Sequence, residues 1–239
     1  ELKQLIDKGV WRYLDPVEVI RRVQAGEIIL PSTLFLKDKY DAFNVFEKLK
    51  ARLVACGNFA KDDHTLDIES PTASLTILLM TLEIAARERL YKRAADVGGA
   101  YLYGESKAHH MMKLQPRVTA ILVARLPDLQ KYVGKDGTIC VELLKTLYGL
   151  KEAGRIWYEL ISSVLLKDGF EQSSIDKCLF YKQDSHGERV IVVLYVDDLL
   201  ILSKLDQSGV DVVDMLKATF DEVSEKEGDL LSFLGLEII

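Results

Sequence analysis

Cysteine, histidine and proline are scarce in this sequence: its 239 residues include three Cys, four His and five Pro. Cys56, Cys140 and Cys178 are widely separated and odd in number, and no C-x-x-C pair exists. A disulfide framework is therefore excluded, and the histidines show no zinc-ligand spacing with the cysteines. Three buried or free thiols in a reducing compartment are expected. Long apolar runs are also missing. Runs such as residues 190–195 and 199–202 fall far below the ~18 residues of a membrane-spanning helix, so no membrane partner is expected. Neither a signal peptide nor a transit segment is expected, and no internal repeat or low-complexity linker is seen along the chain. Positive charge is the minority sign, 31 Lys+Arg against 37 Asp+Glu, for a net charge of -6. Nucleic-acid binders are usually basic over their domain, so charge at this scale argues against that class. What is plentiful is apolar material, 49% against 28% charged. That composition excludes a disordered or collagen-like chain and predicts a globular one of one large or two small domains.

Residues 2–8 read as a short helix. Asp15-Pro16 then opens a second helix with Val17, Ile20 and Val23 on one face and Gly26 as its stop. Residues 28–30 and 33–37 read as two strands around Pro31. A turn near Phe43-Asn44 leads to a cation-bearing strand over 46–56, which makes a hairpin. Ser70-Pro71 is expected to cap the strongest helix, with Leu75, Leu78, Leu79, Leu82 and Ala86 facing the core. Residues 93–97 form a strand broken by Gly98-Gly99. Strands are further expected over 107–115, 138–144 and 178–182, with helices over 126–133, 152–167 and 207–220, the last with Ser208 as cap. The mixture predicts an α+β fold, with helices packed on one face of an antiparallel sheet.

Two carboxylates interrupt the most apolar stretch. Asp197 and Asp198 lie between the strands at 190–195 and 199–203. Burying an unpaired carboxylate is costly. A solvated hairpin turn would explain them, since Asp is a common turn residue. A two-residue turn, however, usually takes Gly or Asn to supply positive φ, and neither is present. The other explanation is a rigid carboxylate pair at the end of a sheet that binds divalent metal. Asp96 ends another short strand and makes a third candidate. Three clustered acids repel one another, and a bound cation removes that penalty. Mg²⁺ takes a few carboxylates plus substrate phosphates, and two such ions can clamp the oxygens of a phosphoryl transfer.

Tyr195-Val196-Asp197-Asp198 matches a Y-x-D-D box, and Asp96-Val97-Gly98-Gly99-Ala100-Tyr101 matches D-V-x-x-A-Y/F. Leu147-Tyr148-Gly149-Leu150-Lys151-Glu152-Ala153-Gly154-Arg155-Ile156-Trp157-Tyr158 is similar to L-Y-G-L-K-Q-A-P-R-x-W-Y. Lys50-Ala51-Arg52-Leu53-Val54-Ala55, Ser70-Pro71-Thr72 and Phe233-Leu234-Gly235-Leu236-Glu237-Ile238 complete an ordered set. On these motifs nearly the whole chain resembles the reverse transcriptase of Ty1/copia-type retrotransposons. The resemblance implies a right-hand polymerase: fingers within 1–92, a palm over 93–239 with a fingers-like insertion around 113–155, and a palm sheet backed by helices. It implies two Mg²⁺ ions (Mn²⁺ as a substitute) on Asp96, Asp197, Asp198 and the Val97 carbonyl. It implies nucleotide contacts from Lys50 or Lys48, Arg52, Tyr101 as a gate against the 2′-hydroxyl, Tyr148, Gly149 and Lys151, with Arg155 nearby. Leu234 and Gly235 would support the primer end. Trp157 and Tyr158 are expected in the core.

The implied partners are an RNA or DNA template, a primer strand, dNTPs and the rest of a polyprotein carrying thumb, ribonuclease H and integrase. No motif for those modules, or for the protease, occurs in the chain. The implied location is cytoplasmic, within virus-like particles, with later nuclear steps. Glu152 and Gly154 stand where the family has Gln and Pro, and the double His at 109–110 is unfamiliar there. A catalytically silent, nucleic-acid-binding remnant is the competing reading. A nucleotide cyclase on a related palm would explain the acids but not the ordered motifs.

Overall fold

The computed structural model describes residues 1–40, 45–60, 68–227, 231–234 and 236–238. In chain order its elements are α1 (Leu2–Asp7), β1 (Trp11–Tyr13), α2 (Pro16–Gln24), β2 (Ile29–Tyr40), β3 (Phe46–Ala55), α3 (Leu75–Glu88) and β4 (Tyr91–Val97). Next come β5 (Met111–Leu114), α4 (Pro116–Arg125), β6 (Ile139–Leu143), α5 (Ala153–Lys167), β7 (Glu171–Gln172), β8 (Leu179–Gln183) and β9 (Arg189–Tyr195). The chain then forms β10 (Asp198–Ser203), α6 (Asp206–Thr219), β11 (Val223–Glu227), β12 (Leu231–Phe233) and β13 (Leu236–Ile238). Two compact units result, Glu1–Ile68 with Tyr101–Ile156, and Glu69–Ala100 with Trp157–Ile239. Residues 69–92 thus belong with the carboxylate-bearing unit. No helix among the described residues is long and apolar enough to cross a membrane.

The first unit holds a five-stranded sheet in the order β1-β6-β5-β2-β3. Its core gathers Leu5, Leu30, Leu53, Met112, Val141 and Leu147. The sequence reading breaks the chain into two strands at Pro31, but β2 runs through it. The reason is a change of partner: residues 29–31 pair in parallel with β5, and Ser32 onward pairs antiparallel with β3. Proline, which has no N–H, sits at that changeover. The turn expected at Phe43-Asn44 lies outside the described residues. Asp15 caps α2 as expected, accepting a 2.8 Å bond from the Val17 N–H. Its apolar stripe faces outward, however, with Val17 73% exposed.

The second unit holds a six-stranded antiparallel sheet, β11-β4-β10-β9-β8-β7. Both faces are covered, not one. Ala94, Leu200, Leu202, Ile191 and Val193 pack with Leu78 and Ala85 of α3. On the opposite face Arg93, Ile201 and their neighbours meet α6, whose Asp206 pairs with Arg93 at 2.7 Å. Burial on both faces explains why β9 and β10 read as continuous apolar runs without alternation. The stripe of α3 is rotated from the expected one. Ile77, Leu78, Thr81 and Ala85 are buried, while Leu75 and Leu79 are more than half exposed. Ser74, not Ser70, is its cap, accepting from the Ile77 N–H at 3.3 Å. Ser208 is likewise no cap: it lies in the buried third position of α6, and its hydroxyl donates to Asp184.

Candidate functional site

The carboxylates meet through strand register. In the β4–β10 ladder Asp96 lies directly opposite Asp198, and in the β9–β10 hairpin Asp198 lies opposite Tyr195. Directly opposed side chains share one face with Cβ atoms ~4.5–5.5 Å apart, and like charges there are destabilising. The Asp198 carboxyl is accordingly pushed up to about 6, first by burial, then by the charges of Asp197 and Asp96. Lys226 of β11 opposes that rise. It sits opposite Ala94, two residues from Asp96 on the same face. Sequence reasoning missed this cation, because the pairing of β11 with β4 leaves no local signal.

The tip between β9 and β10 contains two residues, Val196 and Asp197, and the missing glycine is resolved there. Val196 itself takes φ +57°. A β-branched residue in that region is strained by roughly 1–3 kcal/mol and persists only where its surroundings over-determine it. Two bonds do so. The Trp157 indole N–H donates to the Val196 carbonyl at 2.7 Å. The Val97 N–H donates to the Asp197 carbonyl at 2.9 Å. Trp157 is in the core as expected, 1% exposed, but it also carries this polar link.

No group of three or more His, Cys, Asp or Glu side chains among the described residues is arranged to hold a metal ion unaided. The chemistry of the donor set nevertheless fits Mg²⁺. The donors are carboxylate oxygens, burial and then their mutual repulsion raise Asp198, and Mg²⁺ completes its shell with water and substrate phosphate.

The residues expected to contact the nucleotide belong to the first unit. In the β2–β3 hairpin Lys37 faces Lys50 and Lys39 faces Lys48, with Phe35 opposite Arg52. Lys39 and Lys48 both reach Glu47. Lys37, Lys50 and Arg52 have no ion-pair partner among the described residues. Arg52 lies over the Tyr148 ring at 4.8 Å. Tyr148 meets Tyr101 edge-on at 4.9 Å, and the Tyr101 carbonyl accepts from the Thr146 hydroxyl. Phe35, Lys37, Lys50, Arg52, Tyr148 and Gly149 line a cleft of about 710 Å³. Gly149 takes φ +89°, and a Cβ there would collide with the Ala55 carbonyl. Its close backbone approach is therefore to β3, fixed by the bonds Ala55 N–H to Tyr148 O at 2.9 Å and Gly57 N–H to Gly149 O at 3.2 Å. Lys151 is exposed and Arg155 half-buried.

Glu152 is buried, 7% exposed, and bonds His110 Nε2 at 3.2 Å. Burial alone would raise its carboxyl, but the His110 bond and charge hold it below the usual range. The Glu152 departure is thus paired with one of the two unfamiliar histidines. Leu234 follows β12 with φ +53° and is 39% exposed, and Gly235 lies outside the described residues.

A family model described as reverse transcriptase (RNA-dependent DNA polymerase) matches residues 22–239. The Pol polyprotein from transposon TNT 1-94 of Nicotiana tabacum is 30% identical over the whole chain, which covers 16% of that polyprotein. The Ty1-MR1 Gag-Pol polyprotein of Saccharomyces cerevisiae is 27% identical, again over the whole chain and 12% of its own length. A truncated Ty1-A Gag-Pol polyprotein of the same yeast is also 27% identical, with 18% of its length covered. The chain therefore spans less than a fifth of each of these relatives.

Proposed function

The chain belongs to the reverse transcriptase family, as a region of the Ty1/copia type, and from that premise we propose that it is the nucleotidyl-transfer part of a retrotransposon polyprotein. It extends a primer with dNTPs on an RNA or DNA template. The observation that carries this reading is the opposition of Asp96 and Asp198 beside Asp197, with the Asp198 carboxyl raised to about 6.

In this proposal the second unit acts as palm and the first as fingers. Asp96, Asp197, Asp198 and the Val97 carbonyl would hold two Mg²⁺ ions (Mn²⁺ as substitute), which lower the pKa of the primer 3′-hydroxyl and neutralise the triphosphate. Arg52, whose guanidinium carbon lies 4.8 Å from the centre of the Tyr148 ring, binds triphosphate oxygens. Lys50 adds a second cation, and its like-charged neighbour Lys37 makes the face receptive to a polyanion. Lys151 supplements them. Tyr101, braced by Tyr148, excludes the 2′-hydroxyl of a ribonucleotide. Leu234 and Gly235 support the primer end. Template, primer and the remaining polyprotein modules (thumb, ribonuclease H, integrase) are the partners. The setting is a cytoplasmic virus-like particle, with later nuclear steps.

Primer extension on poly(rA)/oligo(dT) with Mg²⁺, using the polyprotein region that contains this chain, tests the proposal. Product from the natural sequence and none from Asp197→Asn is expected. Absence of product from the natural sequence favours the silent remnant, and full activity of Asp197→Asn removes the metal assignment. In the same assay Tyr101→Ala is expected to raise ribonucleotide incorporation relative to dNTP by about 10-fold or more. Unchanged sugar discrimination takes Tyr101 out of the gate.

A further inference from the structure

We propose that Trp157 is a positioning residue: its indole N–H holds the peptide after Val196 in the orientation that presents Asp197 and Asp198. The proposal rests on the catalytic reading of those carboxylates and extends it to a residue outside the acidic set.

The turn between β9 and β10 needs positive φ at its first central residue, a position that normally takes glycine. Valine is poorly suited to it, because its branched Cβ crowds the backbone there. The two central carbonyls are both engaged by other elements. Val196 O accepts from Trp157 of α5 at 2.7 Å, and Asp197 O accepts from Val97 of β4 at 2.9 Å.

The Trp157 donor is itself fixed in direction. The side chain is 1% exposed, and its ring lies 5.4 Å from the Phe220 ring at a tilt of 59°. An indole has a single donor and no acceptor, so the bond has one geometry. Released from it, Val196 would relax toward the β or right-handed region, rotating the following peptide. Asp197 sits on that peptide, and Asp198 begins β10 immediately after it. Trp157 thus acts on the carboxylates through the Val196 backbone.

Trp157→Phe keeps the ring and removes the N–H. In primer extension its kcat is expected to fall about tenfold, with KM for dNTP changed less than about twofold. In the metal-free chain the Val97 amide is expected to exchange with solvent about tenfold faster, while amides elsewhere in the sheet keep their protection. Adding Val196→Gly to Trp157→Phe supplies a residue that adopts the turn freely. Both readouts are then expected to return to within about threefold of the natural sequence. A residue that only filled the core would not be rescued by a change in the turn. Natural kcat and exchange in Trp157→Phe overturn the proposal, as does a loss that Val196→Gly leaves uncorrected. Asp198→Asn is the control for the catalytic reading. If the natural sequence makes no product, that reading fails by itself and the Val97 exchange alone decides the role of Trp157.

Discussion

Asp198→Asn is expected to abolish primer extension, on the order of 10³-fold or more, and at the same time to make the metal-free chain more stable at neutral pH. The two effects have one cause. Burial and the charges of Asp197 and Asp96 raise the Asp198 carboxyl to about 6, from 3.8. A carboxyl raised in the folded state binds more protons there than in the unfolded chain. Its contribution is therefore most favourable below about pH 4 and is lost as pH rises through about 6. The penalty reaches roughly 2–3 kcal/mol at pH 7, at 1.36 kcal/mol per unit. Asparagine keeps the shape and drops the charge. Denaturant unfolding with a chelator present, at pH 5 and pH 7.5, measures this. The stability gain of Asp198→Asn over the natural sequence should grow with pH. Other groups oppose the overall trend, since Glu142 and Glu225 are held below their usual range by arginine and lysine partners. The difference between variants cancels them. A gain independent of pH, or a loss at pH 7.5, would mean that the three acids do not repel one another as argued.

Gly149→Ala is expected to destabilise the first unit by about 3–5 kcal/mol and to weaken dNTP binding. Two costs add. The residue sits at φ +89°, and its new Cβ would overlap the Ala55 carbonyl, a backbone atom that cannot rotate away. Relief requires breaking the bonds from Ala55 to Tyr148 and from Gly57 to Gly149. Tyr148 would move with them, and with it the surface on which Arg52 lies. Gly187→Ala is the comparison. Its φ of +77° is similar, but nothing lies within 4 Å of the added carbon, so only strain of about 1–2 kcal/mol is expected. Equal losses in the two variants, measured by denaturant midpoint, would remove the collision from the explanation.

How far the site was legible differs from residue to residue. The hairpin carrying Asp197 and Asp198 could be read directly, because apolar runs of strand length on both sides leave few alternatives. That reading also noticed the missing turn glycine, but could not supply its replacement. Val196 holds positive φ through a donor 39 positions earlier in the chain. The Glu152–His110 link spans 42 positions, which is why no local signal pairs the two. In α3, propensity located the helix, but not which of its apolar residues face the sheet. Leu75 and Leu79 fit the periodic stripe and remain exposed, while Ile77 and Thr81 are buried.

The sequence is short of cysteine, histidine and positive charge. Taken alone, it determined the local elements, the oxygen-only character of the acid cluster, and the concentration of cations in one hairpin. Those depend on neighbouring residues and side-chain chemistry, which a sequence states outright. Tertiary structure decided the opposition of Asp96 to Asp198, the place of Lys226, the pinning of Val196 and the seating of Gly149 on β3. Each joins residues remote in sequence, so each exists only once strand register and packing bring them together.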